Sequence, residues 1–116
     1  MKFGFKSFAI FFFCVSASFA HDETFRGVYS WGEGVDSIKP CGDPKIYWAS
    51  HGWGSINAEL KKFYDKNTSK PYQGIYMEFR GHYHYEESDG FEAKYDGTIH
   101  ISEIKKLARE IPSDCK

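Results

Sequence analysis

The stretch YQGIYMEFRGHYHY, residues 72–85, decides the fold of this 116-residue chain. Tyr72, Ile75, Tyr76, Phe79, Tyr83 and Tyr85 are residues favoured on pleated surfaces, so the run is expected to form one long strand. Gly74 and Gly81 inside it predict bends or bulges, as when a strand curls around a small barrel. Downstream, residues 86–90 read as a hairpin loop, and residues 92–102 as a returning strand with Ile99 and Ile101 on one face. The tail is open to two readings. Ile104, Leu107, Ala108 and Ile111 fit helical spacing, and SEIKKLARE holds good helix formers. The alternative is that the last strand continues through a bulge towards Cys115.

Upstream of the long strand the pattern is mixed. Residues 25–31, FRGVYSW, are aromatic and β-branched with rough alternation, which reads as a first strand. Gly32-Glu33-Gly34 is a turn by composition. Residues 35–41 make a second strand and Gly42-Asp43-Pro44 turns the chain. Residues 45–50, KIYWAS, make a third strand, with Ile46 and Trp48 on one face and Tyr47 and Ala49 on the other. Gly52-Trp53-Gly54 breaks the pattern, and Ser55 is placed to cap a helix. From there Ile56, Leu60, Phe63 and Tyr64 recur at helical spacing, one apolar face of a short amphipathic helix that Asn67, Thr68 and Pro71 end. Three strands, one helix between strands 3 and 4, then two strands is the order of a five-stranded OB barrel, so the expected class is mainly β, an OB-fold.

The first twenty residues have a separate logic. Lys2 and Lys6 give a cationic start, residues 8–15 are an unbroken apolar run, and Ser18-Phe19-Ala20 ends a small-residue segment. That is how a signal-peptidase site reads, with cleavage after Ala20. The apolar run is shorter than the roughly 20 residues of a spanning helix, and no stop-transfer segment follows. Cys14 lacks the Leu and small residues that precede a lipidated cysteine. The expected organisation is therefore a signal peptide over residues 1–20 and a single domain over residues 21–116. Without Lys2 and Lys6 that domain holds 13 basic and 16 acidic residues. Such a balance implies no nucleic-acid partner, and no membrane span is expected after cleavage. Two cysteines remain, Cys41 and Cys115, and an even count in a small exported chain reads as a disulfide. A periplasmic or secreted location follows.

Residues 25–115 resemble the C-terminal OB domain of NlpE-type envelope lipoproteins. FRGVYSW resembles its opening strand, with Gly27 and Tyr29 in a Gly-x-Tyr core. DSIKPCG, residues 36–42, looks like the second strand ending in a Cys. ELKKFY, residues 59–64, is similar to the helix with its Leu60 and Tyr64. YMEFRGHY, residues 76–83, resembles the fourth strand running into a Gly, and Cys115 matches a terminal Cys that pairs with the earlier one. The resemblance implies a strand rather than a helix at the tail. This chain departs from the family in lacking the lipidated Cys and the N-terminal barrel with its C-x-x-C. Envelope-stress signalling, surface sensing and copper tolerance in full-length relatives need those missing parts.

Site chemistry is sparse. His82 and His84 are expected on one strand face, and an i, i+2 pair can chelate copper or zinc if a third ligand converges. Cleavage after Ala20 would make His21 the N-terminus, whose amino group and ring can grip copper together. The competing account puts His82 and His84 on the solvent face while Tyr83 and Tyr85 pack inward. His51 and His100 stand alone. Nucleophile-elbow, zincin and phosphate-loop motifs are missing, and Glu86, Glu87 and Asp89 read as a solvated loop, so no enzyme and no cofactor are expected. Aromatic rings are the remaining lead, because OB barrels can bind oligosaccharides on one face and its loops. Trp53, Trp48 and Tyr83 are the ligand-binding candidates, with Trp53 set between two glycines. The plainer account, preferred for Trp31 and Trp48, is that large rings fill and cap a small barrel. The expected function is a non-enzymatic binding domain of the bacterial envelope acting on an envelope or extracellular protein. The alternatives are a secreted glycan-binding module and a periplasmic copper-binding protein.

Overall fold

The computed structural model describes residues 21–52, 54–84 and 95–116. The expected signal peptide, Trp53, Tyr85 and the loop at 86–90 lie outside the described residues. Five strands, β1 (Glu23–Gly32), β2 (Val35–Pro40), β3 (Tyr47–Ser50), β4 (Ile75–His84) and β5 (Thr98–Ala108), close in the order β1-β2-β3-β5-β4. Among the described residues the one α-helix, α1 (Ser55–Asn67), follows β3 and precedes β4. Only β3 and β5 run parallel; the other neighbours are antiparallel. The architecture is an OB-type barrel.

Alternation along the strands explains closure. Phe25 and Tyr29 of β1, Ile38 of β2, Tyr47 and Ala49 of β3, Ile75, Met77 and Phe79 of β4, and Ile99 and Ile101 of β5 form one core. Leu60 and Tyr64 of α1 plug that core, with Ile56 and Phe63 packed at its margin. Gly27 pairs with both Pro40 and Met77, so β1 serves two neighbours at once. A side chain there would meet the Lys39 carbonyl oxygen at 2.8 Å.

Several boundaries differ from expectation for identifiable reasons. β4 begins at Ile75 rather than Tyr72 because Tyr72 has φ 66°, a left-handed conformation that no strand accommodates. β3 begins at Tyr47 rather than Lys45, the Ile46 N–H being taken by the Asp96 carboxylate at 2.9 Å. Ser55 is inside the helix and not its cap; Gly54 is the N-cap, and its carbonyl accepts from Ala58 N at 3.0 Å. At the other end Thr68 donates N and Oγ1 to the Tyr64 carbonyl.

The tail is strand, not helix. The register against β4 runs Arg80↔Glu103 then Gly81↔Ile101, and Glu78↔Lys106 then Phe79↔Ile104, so Ser102 and Lys105 are extra residues in β5. Each bulge turns a two-residue step into three. Ile101, Ile104 and Leu107 therefore keep one face at a spacing that imitates a helix. Gly81 sits at the first irregularity, where a β-carbon would drive into the His100 carbonyl.

Beyond β5 the chain returns through a one-turn 3₁₀ helix (Ser113–Cys115) to the end of β2, where Cys115 is bonded to Cys41. Arg26 of β1 donates to both carboxylate oxygens of Asp114 at 3.1 and 3.2 Å and to the Tyr76 hydroxyl at 2.7 Å. Tyr76, 2% exposed, lies outside the core cluster and is covered on the outer face. The Arg26–Asp114 pair itself is solvent-exposed, so screening leaves the covalent bond as the main fastening. The cysteines are 74 residues apart, for which chain entropy assigns the bond about 4 kcal/mol. Reduction, or Cys115→Ser, is expected to lower the urea unfolding free energy by that order. Identical urea midpoints for oxidised and reduced protein would contradict this account.

Candidate functional site

Asp36 is an acidic residue on the inward face of β2, in line with Ile38 and Pro40, and only 8% exposed. A carboxylate there needs partners, and three elements supply them. Lys61 of α1 donates to Asp36 Oδ2 at 2.6 Å, and His51, just past β3, faces it through Nε2 at 2.7 Å. The Tyr29 hydroxyl of β1 donates to the same oxygen. Lys61 also reaches the Tyr29 hydroxyl at 2.9 Å and lies 4.5 Å from the centre of the Trp31 ring.

Burial alone would raise the Asp36 pKa, but hydrogen bonds from His51, Lys61 and Tyr29 outweigh it and hold the carboxyl below its ordinary value. Tyr29 moves the other way: burial first, then the Asp36 charge, push its phenol well above the usual range. The phenol thus remains a donor and the carboxylate an acceptor across the neutral range. His51 Nδ1 faces the Gly52 carbonyl oxygen at 3.0 Å, so the Asp36–His51 pair is not continued by a hydroxyl or thiol.

This cluster floors one side of an open cleft of about 540 Å³. Its walls include Trp31 and Gly34 from the β1–β2 hairpin, Trp48 and Ser50 from β3, and Asn57 from α1. Trp48 projects from the outer face of β3, edge-on to Tyr95 at 5.6 Å between ring centres. It does not fill the barrel, because the inward positions of β3 belong to Tyr47 and Ala49. Trp31 conforms to the capping account, packed against Tyr64 at the helix end of the core. Tyr83 is not brought to the cleft; its ring packs inward on Phe25 and Tyr47.

The metal-ligand candidates have different surroundings. His82 Nδ1 pairs with Asp22 Oδ1 at 2.9 Å, His84 is exposed at the end of β4, and His21 is exposed before β1. His82 instead neighbours His100, with ring centres 5.3 Å apart. Burial, then the neighbouring His82, hold His100 below its ordinary pKa. Among the described residues no three His, Cys, Asp or Glu side chains are grouped to hold a metal ion.

Sequence reading missed Asp36, Lys61 and Tyr29 and set His51 aside as a lone histidine. One signal was available: Asp36 stands two residues before Ile38, on the face of β2 that alternation turns inward. Basic residues were also gathered unseen. Lys62 and Lys66 of α1 and Lys105 and Lys106 of β5 rim a second groove floored by Phe63, Ile104 and Leu107.

Replacing Asp36 by Ala leaves its three donors without their acceptor, and is expected to cost about 3 kcal/mol of stability. The pH dependence has a definite sign. With the folded pKa below 3.8, the native state binds fewer protons there than the unfolded chain. The stabilisation is present above that value and is lost as pH falls through the folded one. Urea midpoints across the acid range should therefore fall less steeply in Asp36→Asn than in wild type; parallel slopes would remove Asp36 from the acid response.

No helix among the described residues is long and apolar enough to cross a membrane. Comparison with protein-family models, with curated proteins and with solved structures finds no match to this chain.

Proposed function

We propose that this chain is an exported, non-enzymatic binding module of the bacterial cell envelope, periplasmic or secreted, whose recognition face is the cleft beside Asp36. The observation that carries this reading is the saturation of Asp36 Oδ2 by Tyr29, His51 and Lys61. Those three donors tie β1, the end of β3 and α1 to one carboxylate oxygen, so Asp36 organises the cleft wall, and the His51 ring beside it faces a backbone carbonyl rather than a hydroxyl or thiol that it could activate. The disulfide supports export, since such bonds persist in oxidising compartments. The five-stranded barrel and the Cys41–Cys115 bond also support the resemblance to the C-terminal domain of NlpE-type lipoproteins. The proposed partner is an envelope or extracellular protein docking across the cleft rim. A photo-crosslinking residue at Asn57, on the rim, should capture one discrete partner in the native envelope, and the same residue at exposed Lys45 should not. Equal capture from both positions would remove the cleft from the proposal.

A second reading is favoured by the two indole rings. Trp31 and Trp48 wall a cleft that also presents Asp36, Ser50, His51, Asn57 and Lys61, and a saccharide combines apolar ring faces with hydroxyls in that way. On a glycan array the wild type would then bind a defined subset that Trp48→Ala loses at least tenfold. A featureless array for the wild type excludes it.

A further inference from the structure

The outer face of β4 and β5 carries a group of side chains that the cleft does not use. His82 and His100 are direct register partners on these antiparallel strands, so their side chains rise from the same face at neighbouring positions. Each ring is oriented through Nδ1: His82 by Asp22 at 2.9 Å, and His100 by Ser50 Oγ at 3.3 Å. An ionised carboxylate only accepts, so Nδ1 of His82 carries the hydrogen, and in the neutral ring Nε2 then keeps its lone pair. The Ser50 hydroxyl can accept from His100 in the same manner and leave that Nε2 bare. Histidines that bind metal ions are held in this way, the outer nitrogen donating to an oxygen that fixes tautomer and ring.

We propose that His82 and His100 bind a divalent first-row transition-metal ion through their Nε2 nitrogens, with Asp22 and Ser50 as positioning residues and water completing the shell. The ring spacing supports this. Two imidazoles on a tetrahedral ion, with metal–nitrogen bonds near 2.1 Å, place their ring centres about 5 Å apart; here they are 5.3 Å apart. The donor set selects the ion class. Paired neutral imidazoles suit zinc, copper and nickel, and calcium or magnesium would call for oxygen ligands. Two protein ligands make an open site, so exchange with solvent is fast and coordination positions remain for an outside group. The site differs from one built on His82 and His84, because His100 comes from the facing strand and Asp22 from the segment before β1.

The test is calorimetric titration of the purified, disulfide-bonded protein with Zn²⁺ at neutral pH. One ion per chain is expected. His82→Ala and His100→Ala should each abolish the heat of binding, His84→Ala should retain it, and Asp22→Asn should weaken affinity about tenfold. Melting curves without metal establish that each variant folds. Nitrogen-15 NMR of the histidine rings gives a readout independent of any substitution: Zn²⁺ should shift the Nε2 resonances of His82 and His100 and leave that of His51 in place. Absence of binding by wild type, or binding that survives in the His82→Ala/His100→Ala double variant, overturns the proposal. So does a shift confined to other histidines.

Discussion

Cys41 leaves the barrel where β2 ends, and Cys115 is the penultimate residue, so their bond draws the tail from the end of β5 back to the far side of β1. A domain of this size buries too little apolar surface for a wide margin of stability. Its core is a single cluster plugged by two helix residues, Leu60 and Tyr64. The returning tail adds a second burial on the outside. Tyr76, pointing away from the core, would be an exposed ring on a bare sheet; here its hydroxyl lies between Arg26 and Glu78, and Arg26 reaches on to Asp114. Tail, tyrosine and arginine hold together only while the end of the chain stays near β1. The long closed loop limits how far the unfolded chain can move it away.

With the barrel closed in this way, a charged group can be placed inside one end of it. Asp36 is on a face otherwise made of Ile38 and Pro40, and removing a carboxylate from water is costly unless its lone pairs are used. The three donors come from three different segments: Tyr29 from β1, His51 after β3, and Lys61 from α1. The cluster therefore fixes the seating of the helix over the hairpin and the end of β3 together. Leu60 beside it is fully buried, whereas Lys61 is partly exposed and bridges core and cleft. The cleft walls are positioned by the same contacts, since Trp31 lies under the Lys61 ammonium.

Strand alternation in residues 25–31 and 75–83, and the helical face of Ile56, Leu60, Phe63 and Tyr64, were plain in the sequence because burial there follows one uninterrupted period. The barrel order followed from them, and the Cys41–Cys115 bond from the cysteine count that remains once residues 1–20 are set aside. The end of β5 was misleading for a physical reason: two bulges, at Ser102 and Lys105, convert alternation into steps of three. Periodicity records which residues share a face, and a twice-bulged strand and a helix present the same list. The site was less legible than the fold. Lys61 and Lys62 look alike in sequence, yet the first closes on Asp36 and the second rims the groove over Phe63. That distinction depends on how α1 is rotated over the barrel, which no local pattern carries.

The end of β3 shows how closely the two polar clusters are joined. Ser50 and His51 are consecutive, and strand geometry sends consecutive side chains to opposite faces. Ser50 accordingly meets His100 on the outer sheet, and His51 meets Asp36 towards the inside. His51 and His100 look isolated because their partners are distant in sequence: Asp36 lies 15 residues before one and Ser50 lies 50 before the other. Only the parallel pairing of β3 with β5, at Ser50↔His100, brings the outer pair together. Since that pairing is also the one that closes the barrel, disturbing it would loosen closure, cleft wall and histidine orientation in a single step. The two clusters are thus separate in chemistry but share one structural support.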